Sequence, residues 1–264
     1  MPRHLQVWHK RNRVVVVAND SNERIEIPEG VTRALVVTAH PDDVDFGAGG
    51  TVMALVKAGV QVTFCICTDG DAGGFDDSTD RSEIPAIRRA EQASAAAVYG
   101  VTDVRFLGYK DGYLEPSHDV QRDIARVMRQ VQPQLVITQS PERNWDRLPA
   151  SHPDHIAAGE ATTRALYPAV RNPYAYPELR SQEGLEAWTV SWLWLQGHPE
   201  INHFVDTTEF FSRKVNALEQ HASQTSHMED LAGLLRTWGE MQAQAAGFAE
   251  GRLAEGFRQI KLPD

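Results

Sequence analysis

The sequence holds two cysteines in 264 residues, too few to staple a fold. Cys65 and Cys67 stand two apart in VTFCICT, a run that reads as a strand. Both side chains then face one way, and a bridge between them would strain the backbone. Two small buried thiols are the expectation, and disulfide cross-linking is excluded as the organising principle. No stretch approaches about 18 consecutive apolar residues, so a membrane span is excluded. The basic start MPRHLQVWHKRNR is followed only by VVVVA, too short for the apolar core of a signal peptide; the chain is expected to be cytoplasmic. Basic charge is in the minority, with 26 Lys+Arg against 36 Asp+Glu and a net charge of −10. That balance, without a long Lys/Arg run, argues against nucleic acid as the main partner and against an anionic membrane surface. Extremes of composition are missing too. Hydrophobic residues at 42% and charged residues at 23% exclude a disordered or fibrous chain.

What is present is an alternation. RVVVVAND and ERIEIPEG read as a hairpin around Asn19-Asp20-Ser21-Asn22. ALVVTA (34–39) is a short apolar run, as expected of a strand buried on both faces. A helix is expected between Gly47 and Gly59, then the strand VQVTFCICT (60–68). The pattern continues with an alanine-rich helix (84–100), the strand DVRFLG, an amphipathic helix (118–131), the strand QLVITQ (134–139) and a helix opening on Pro153 (152–167). Strand then helix, four times over with short connections, implies a Rossmann-like α/β fold: a mostly parallel sheet with helices on both faces, preceded by the N-terminal β-hairpin. Residues 168–189, rich in proline and tyrosine, read as a loop or lid. A strand (188–197), a helix capped by Asp206 or Thr207 and running through 204–224, a Met/Ala/Gly-rich helix (228–250) and a last strand FRQIKL (257–262) complete the chain. The domain reading is a hairpin extension over 1–30 and a single α/β domain over 31–264, with a variable loop at about 168–189.

In open α/β sheets ligands bind at the carboxyl ends of the strands. After ALVVTA comes His40-Pro41-Asp42-Asp43, and after QLVITQ a loop leads to Ser151-His152-Pro153-Asp154-His155. Pro41 keeps His40 out of the helical region, and Asp43 can return to the same point in space. Pro153 suits the first helical position, which places His152 at the N-cap and His155 on the first turn. His40, Asp43 and His155 thus form a nitrogen, oxygen, nitrogen set of three ligands with an open fourth position, the pattern of catalytic Zn²⁺. An Fe²⁺ site has the same composition, so ligand type leaves the metal open. Asp42 is the candidate general base for a metal-activated water. His152 is the candidate oxyanion or leaving-group partner, and Asp154 the carboxylate that orients it. Together these suffice for metal-assisted hydrolysis of an amide. The segment Gly47-Ala48-Gly49-Gly50 invites a dinucleotide reading. The fingerprint would need glycine where Val52 stands, and HPDD sets two acids where a pyrophosphate would sit.

AHPDDVDFGAGGT (39–51) followed by HPDHIAAG (152–159) resembles the PIG-L / LmbE-like zinc-dependent deacetylases. TDGDAGG (68–74), the Arg88-x-x-Glu91 pair, GYKDGYL (108–114) and KVNALEQHASQ (214–224) resemble family segments in the same order. The resemblance implies removal of the N-acetyl group from an N-acetylglucosamine-type conjugate, a small-molecule substrate. It implies zinc on His40, Asp43 and His155, Asp42 as base, His152 as oxyanion or acid partner, and Asp154 orienting it. It also implies that Arg88 and Asp111 contact the sugar; the alternatives are a surface ion pair of Arg88 with Glu91 and a plain turn acid. Asp71, Gly73 and Gly74 are candidates for the pocket floor, and Trp145, Tyr174, Tyr176, Trp192 and Trp194 for stacking on a sugar. The N-terminal hairpin, without a family counterpart, is a candidate contact in a homo-oligomer or an edge cover. A non-catalytic sugar- or metal-binding protein on the same scaffold is the alternative function.

Overall fold

The computed structural model describes residues 14–16, 26–75 and 78–263. Strands β1 (Val14–Val16) and β2 (Glu26–Pro28) pair antiparallel as a separate two-stranded sheet; the expected turn at 19–22 lies outside the described residues. The apolar runs form β3 (Arg33–Thr38), β4 (Gln61–Thr68), β5 (Asp103–Tyr109), β6 (Leu135–Gln139) and β7 (Trp192–Gln196). These five pair in parallel in the order β5-β4-β3-β6-β7. Two antiparallel strands, β9 (Ala254–Lys261) and β8 (His203–Asp206), extend the edge beyond β7.

Period-two alternation divides the core. Ala34 and Val36 of β3 face one layer with Val52, Leu55 and Phe64. Leu35 and Val37 face the other, with Ile124, Met128 and Ala158. The first layer is covered by α1 (Asp43–Lys57) and α2 (Ile84–Tyr99), the second by α3 (His118–Val131) and α4 (Pro153–Arg164). Helices therefore flank both faces, as the strand–helix alternation requires. Cys65 and Cys67 are free and buried, and burial pushes the Cys65 thiol up to about 12.

Three segments depart from expectation. Helix α1 begins at Asp43, not at Gly47, because Asp42 O already accepts from the N–H groups of Asp45 and Phe46. Residues 204–206, expected as a helix start, belong to the strand β8 (His203–Asp206). Phe204 and Val205 pair with Gly256 and Glu255 of β9, and the helix α6 (Phe211–Glu219) starts only after a short 3-10 turn. The 168–189 segment contains a short helix, α5 (Pro177–Ser181), so it is not all loop. Two further helices, α7 (Ala222–Thr225) and α8 (Leu231–Ala245), precede β9. Among the described residues no helix is long and apolar enough to cross a membrane.

The middle of α1 is unusual. Lys214 of α6 donates to Phe46 O at 2.8 Å, while Glu255 of β9 accepts from the N–H groups of Gly50 at 2.9 Å and Thr51 at 2.7 Å. Lys214 Nζ and Glu255 Oε1 are 2.6 Å apart and both residues are buried. An ion pair from two distant elements thus takes up backbone groups of a helix interior, where a side-chain insertion is one physical cause of bending. Gly50 is required there: a Cβ would lie 2.5 Å from Thr207 Cγ2.

Candidate metal and catalytic site

The strand order reverses between β3 and β6, and the chain leaves each of these strands at its carboxyl end into an HPD turn. That crevice is where an open sheet accepts a ligand. The turn after β3 carries His40, Asp42 and Asp43. The loop after β6 ends at Ser151 and enters α4 through His152, which caps the helix: its Nδ1 accepts from the backbone N–H of Asp154 at 3.2 Å. His155 follows on the first turn. Helix α4 can lie this close to β6 because Gly159 has no side chain. A Cβ there would be 2.3 Å from Gln139 O and 3.0 Å from Pro141 N.

Of the expected ligands, Asp43 touches both imidazoles, through different oxygens. His155 Nε2 is 3.0 Å from Asp43 Oδ1, and His40 Nδ1 is 3.4 Å from Asp43 Oδ2. The three imidazoles of His40, His152 and His155 surround one point, with ring centroids 5.0–5.3 Å apart. On its far side His40 Nε2 meets Asp111 Oδ1 and Asp154 Oδ2, each at 3.1 Å. One nitrogen turned to the ligand cluster and the other to carboxylates is the usual dressing of a metal-binding histidine. Among the described residues, His40, His152 and His155 bring donor atoms within 4.8 Å of one another, as do His40, Asp111 and Asp154, and Asp43 belongs to neither group. The donor set fits a divalent ion of borderline softness, which imidazole and carboxylate suit.

Electrostatics agree with a site built for positive charge. Burial opposes protonation of His40, but the carboxylates of Asp111, Asp154 and Asp43 outweigh it and push the imidazole up to about 12. Asp43 is also penalised by burial, yet His155 and His40 hold it well below the usual carboxylate range. His152 moves the other way: burial and the neighbouring His40 and His155 lower it, favouring the neutral ring. With Nδ1 accepting from a backbone N–H, the neutral ring carries its proton on Nε2.

Asp42 caps α1 in a left-handed conformation, φ 95°, a region that non-glycine residues seldom enter. Burial raises its carboxyl to about 6 against the pull of Arg88. Arg88 is buried and is not a surface partner of Glu91. It bonds Asp42 Oδ2 at 3.0 Å, Pro41 O at 2.6 Å and Gly70 O at 3.1 Å, while Glu91 receives Ser223. Asp154 is tied to residue 152 by its backbone N–H; its carboxylate turns instead to His40 and to the N–H groups of Gly112 and Leu114. Asp111 is buried in the wall, and Asp71 Oδ1 accepts from its N–H at 2.9 Å. Of the aromatic candidates, Trp192 and Trp194 belong to the core, while Trp145 and Tyr174 are exposed.

Sequence reasoning missed Gln92 and Asp45. Gln92 Oε1 accepts from the Asp42 backbone N–H at 2.9 Å, and its Nε2 donates to Asp45 Oδ2 at 2.9 Å. His221 Nε2 lies 3.0 Å from the same Asp45 oxygen, and all three side chains are fully buried. This chain of contacts holds the backbone of Asp42 from behind. The signal was the helical period: Gln92 stands four residues after Arg88 on the inner face of α2.

Residues 35–166 match the PIG-L family, described as GlcNAc-PI de-N-acetylase. The fold resembles an N,N'-diacetylchitobiose deacetylase from Pyrococcus horikoshii, with TM-score 0.80 and 30% identity, covering 88% of this chain and 85% of that one. The sequence is 34% identical to a probable N-acetyl-alpha-D-glucosaminyl L-malate deacetylase 2 of Bacillus cereus, over 74% of this chain and 84% of the relative. It is 29% identical to a 1D-myo-inositol 2-acetamido-2-deoxy-alpha-D-glucopyranoside deacetylase of Actinosynnema mirum, over 88% and 89%.

Proposed function

This chain belongs to the PIG-L family, and from that membership and the crevice geometry we propose that it hydrolyses the N-acetyl group of an N-acetylglucosamine-type conjugate. The observation that carries the reading is a half-buried carboxyl, Asp42, next in sequence to Asp43, held by Arg88 at 3.0 Å and raised to about 6. A binding module has no use for a base of that strength held in a strained turn.

His40, Asp43 and His155 would hold the metal, Zn²⁺ in our assignment, with Fe²⁺ compatible with the same ligands. Such an ion supplies Lewis-acid polarisation of the acetyl carbonyl and a lowered pKa for water. The rest falls to the chain itself. Arg88 occupies Oδ2 of Asp42, so Oδ1 takes the proton of the attacking water. His152, neutral and protonated on Nε2, donates to the carbonyl oxygen as negative charge develops there. The C–N bond breaks as the proton on Asp42 passes to the leaving nitrogen, giving acetate and the free amine. Arg88 and Asp111, 3.9 Å apart, are assigned to the sugar; Nε of Arg88 is buried without a partner among the described residues.

The test is acetate release from a panel of N-acetylglucosamine conjugates, with metal content measured on the same samples. Asp42→Asn is expected to keep the metal and lose about 10²–10⁴ in kcat. A wild-type rate in that variant overturns the base assignment. Failure of the metal-loaded wild type on every conjugate overturns the hydrolase reading.

A further inference from the structure

The turn that carries His40, Asp42 and Asp43 gives its backbone N–H groups to side chains. Ala39 N–H donates to Gln139 Oε1 at 2.9 Å, His40 N–H to Asp43 Oδ2 at 2.7 Å and Asp42 N–H to Gln92 Oε1 at 2.9 Å. Pro41 has no N–H to place.

The peptide group joining Pro41 to Asp42 is held at both poles by one helix. Arg88 Nη2 donates to its carbonyl oxygen at 2.6 Å, and Gln92 accepts from its N–H. Arg88 and Gln92 stand four residues apart on α2, so they share a face one turn apart. A peptide unit is planar. Fixing its C=O and its N–H therefore fixes the plane from which the φ torsion of Asp42 is measured. That φ is 95°, a conformation that a non-glycine residue keeps only where its surroundings over-determine it. Arg88 also occupies Oδ2 of the Asp42 carboxylate. With the backbone fixed as well, the direction of Oδ1 follows.

The Gln92 amide is itself oriented from behind. Its Nε2 donates to Asp45 Oδ2 at 2.9 Å, and His221 Nε2 lies 3.0 Å from the same oxygen. An ionised carboxylate only accepts, so it takes the NH2 end of the amide and leaves the amide oxygen for Asp42. Gln92, Asp45 and His221 are fully buried, so none of the three is placed to touch a substrate.

We infer that Gln92 is a positioning residue for the Asp42 base, acting through the Asp42 backbone and oriented by Asp45 and His221. The inference rests on the deacetylase reading above. Without the Gln92 oxygen the Asp42 N–H loses its acceptor, and the peptide turns to find another. The carboxylate then meets the attacking water at the wrong angle, a misplacement to which the rate is sensitive.

The test is a double-substitution cycle read by acetate release. The probes are N-acetylglucosamine, N,N'-diacetylchitobiose and the malate conjugate, each radiolabelled in the acetyl group so that slow variants are measurable. In the metal-loaded enzyme Gln92→Met, a change that keeps the side-chain length, is expected to lose about 10–10² in kcat, with KM and metal content unchanged. Gln92→Asn keeps an amide but is too short to span Asp42 and Asp45. It should lose rate in the same way, and it serves where Gln92→Met does not fold. In the Asp42→Asn background either change should cost less than about twofold, because the group being positioned is gone. A loss by the same factor in both backgrounds marks a merely structural role and overturns the inference. So does a wild-type kcat in the Gln92 variants, or a loss confined to KM or to metal content. Acetate release from none of the probes by the wild type is a different result: it sinks the deacetylase reading, and the positioning role with it.

Discussion

Asp42 combines a left-handed backbone, φ 95°, with a carboxyl that burial raises to about 6. Its folded pKa lies above the ordinary 3.8, so the folded state holds the proton more tightly than the unfolded chain. The stability this brings is complete at low pH and disappears as pH rises from about 4 to 6. At neutral pH the ionised group costs the fold up to roughly 3 kcal/mol, at 1.36 kcal/mol per pH unit. Asparagine tolerates the same backbone region. The Tm of metal-free Asp42→Asn relative to wild type should therefore rise between pH 4 and pH 7.5, whatever the loss of the Arg88 counter-charge costs at both. A difference that stays flat or falls with pH would refute the argument. The same carboxyl must be ionised to act as a base, so kcat/KM should rise with pH through about 6 and then level off, as a pH–rate profile would report. His152 has two duties that substitution can separate. Asparagine preserves a helix cap, and alanine does not. Both variants should lose about 10²–10³ in kcat, while only His152→Ala should also lose roughly 1 kcal/mol of stability in a melt.

At the scale of elements, α1 depends on charge brought from far away in the chain. Glu255 reaches Gly50 across 205 residues and Lys214 across 41. Glu255→Gln leaves the Lys214 ammonium buried without its counter-charge, a loss of about 3–5 kcal/mol. That corresponds to a fall in Tm of roughly 10 °C for a chain of this size; an unchanged Tm would mean that the pair is dispensable. Such partners explain what the sequence conceals. The start of α4 is legible because Pro153 fixes φ and the residue before it must cap, so HPDH announces both a helix and candidate ligands. The parallel strands are legible because they are apolar on both faces. Strand β8 is not, since His203 to Asp206 is short and lies at the sheet edge, pairing among the described strands with β9 alone. Gln92 lies between, visible as an inward helical position but silent about the Asp42 N–H it receives.

At the scale of the whole molecule, the crevice gathers three carboxylates around His40 from turns and helices on different parts of the sheet. Mutual repulsion among them is relieved by a cation. Loading with Zn²⁺ at about 1,000 times its Kd should add roughly 4 kcal/mol and raise Tm by about 8–16 °C; chelation should reverse this in a thermal scan. A Tm indifferent to chelator would argue against the ion. The separation of the two turns that carry the proposed ligands is governed by Gly159, whose missing methyl lets α4 rest on the Gln139 carbonyl. Residue 159 is therefore a spacer gauge. Alanine and then serine there would pry His155 away from His40 in increments, and metal affinity would read out the gap without any ligand having been changed.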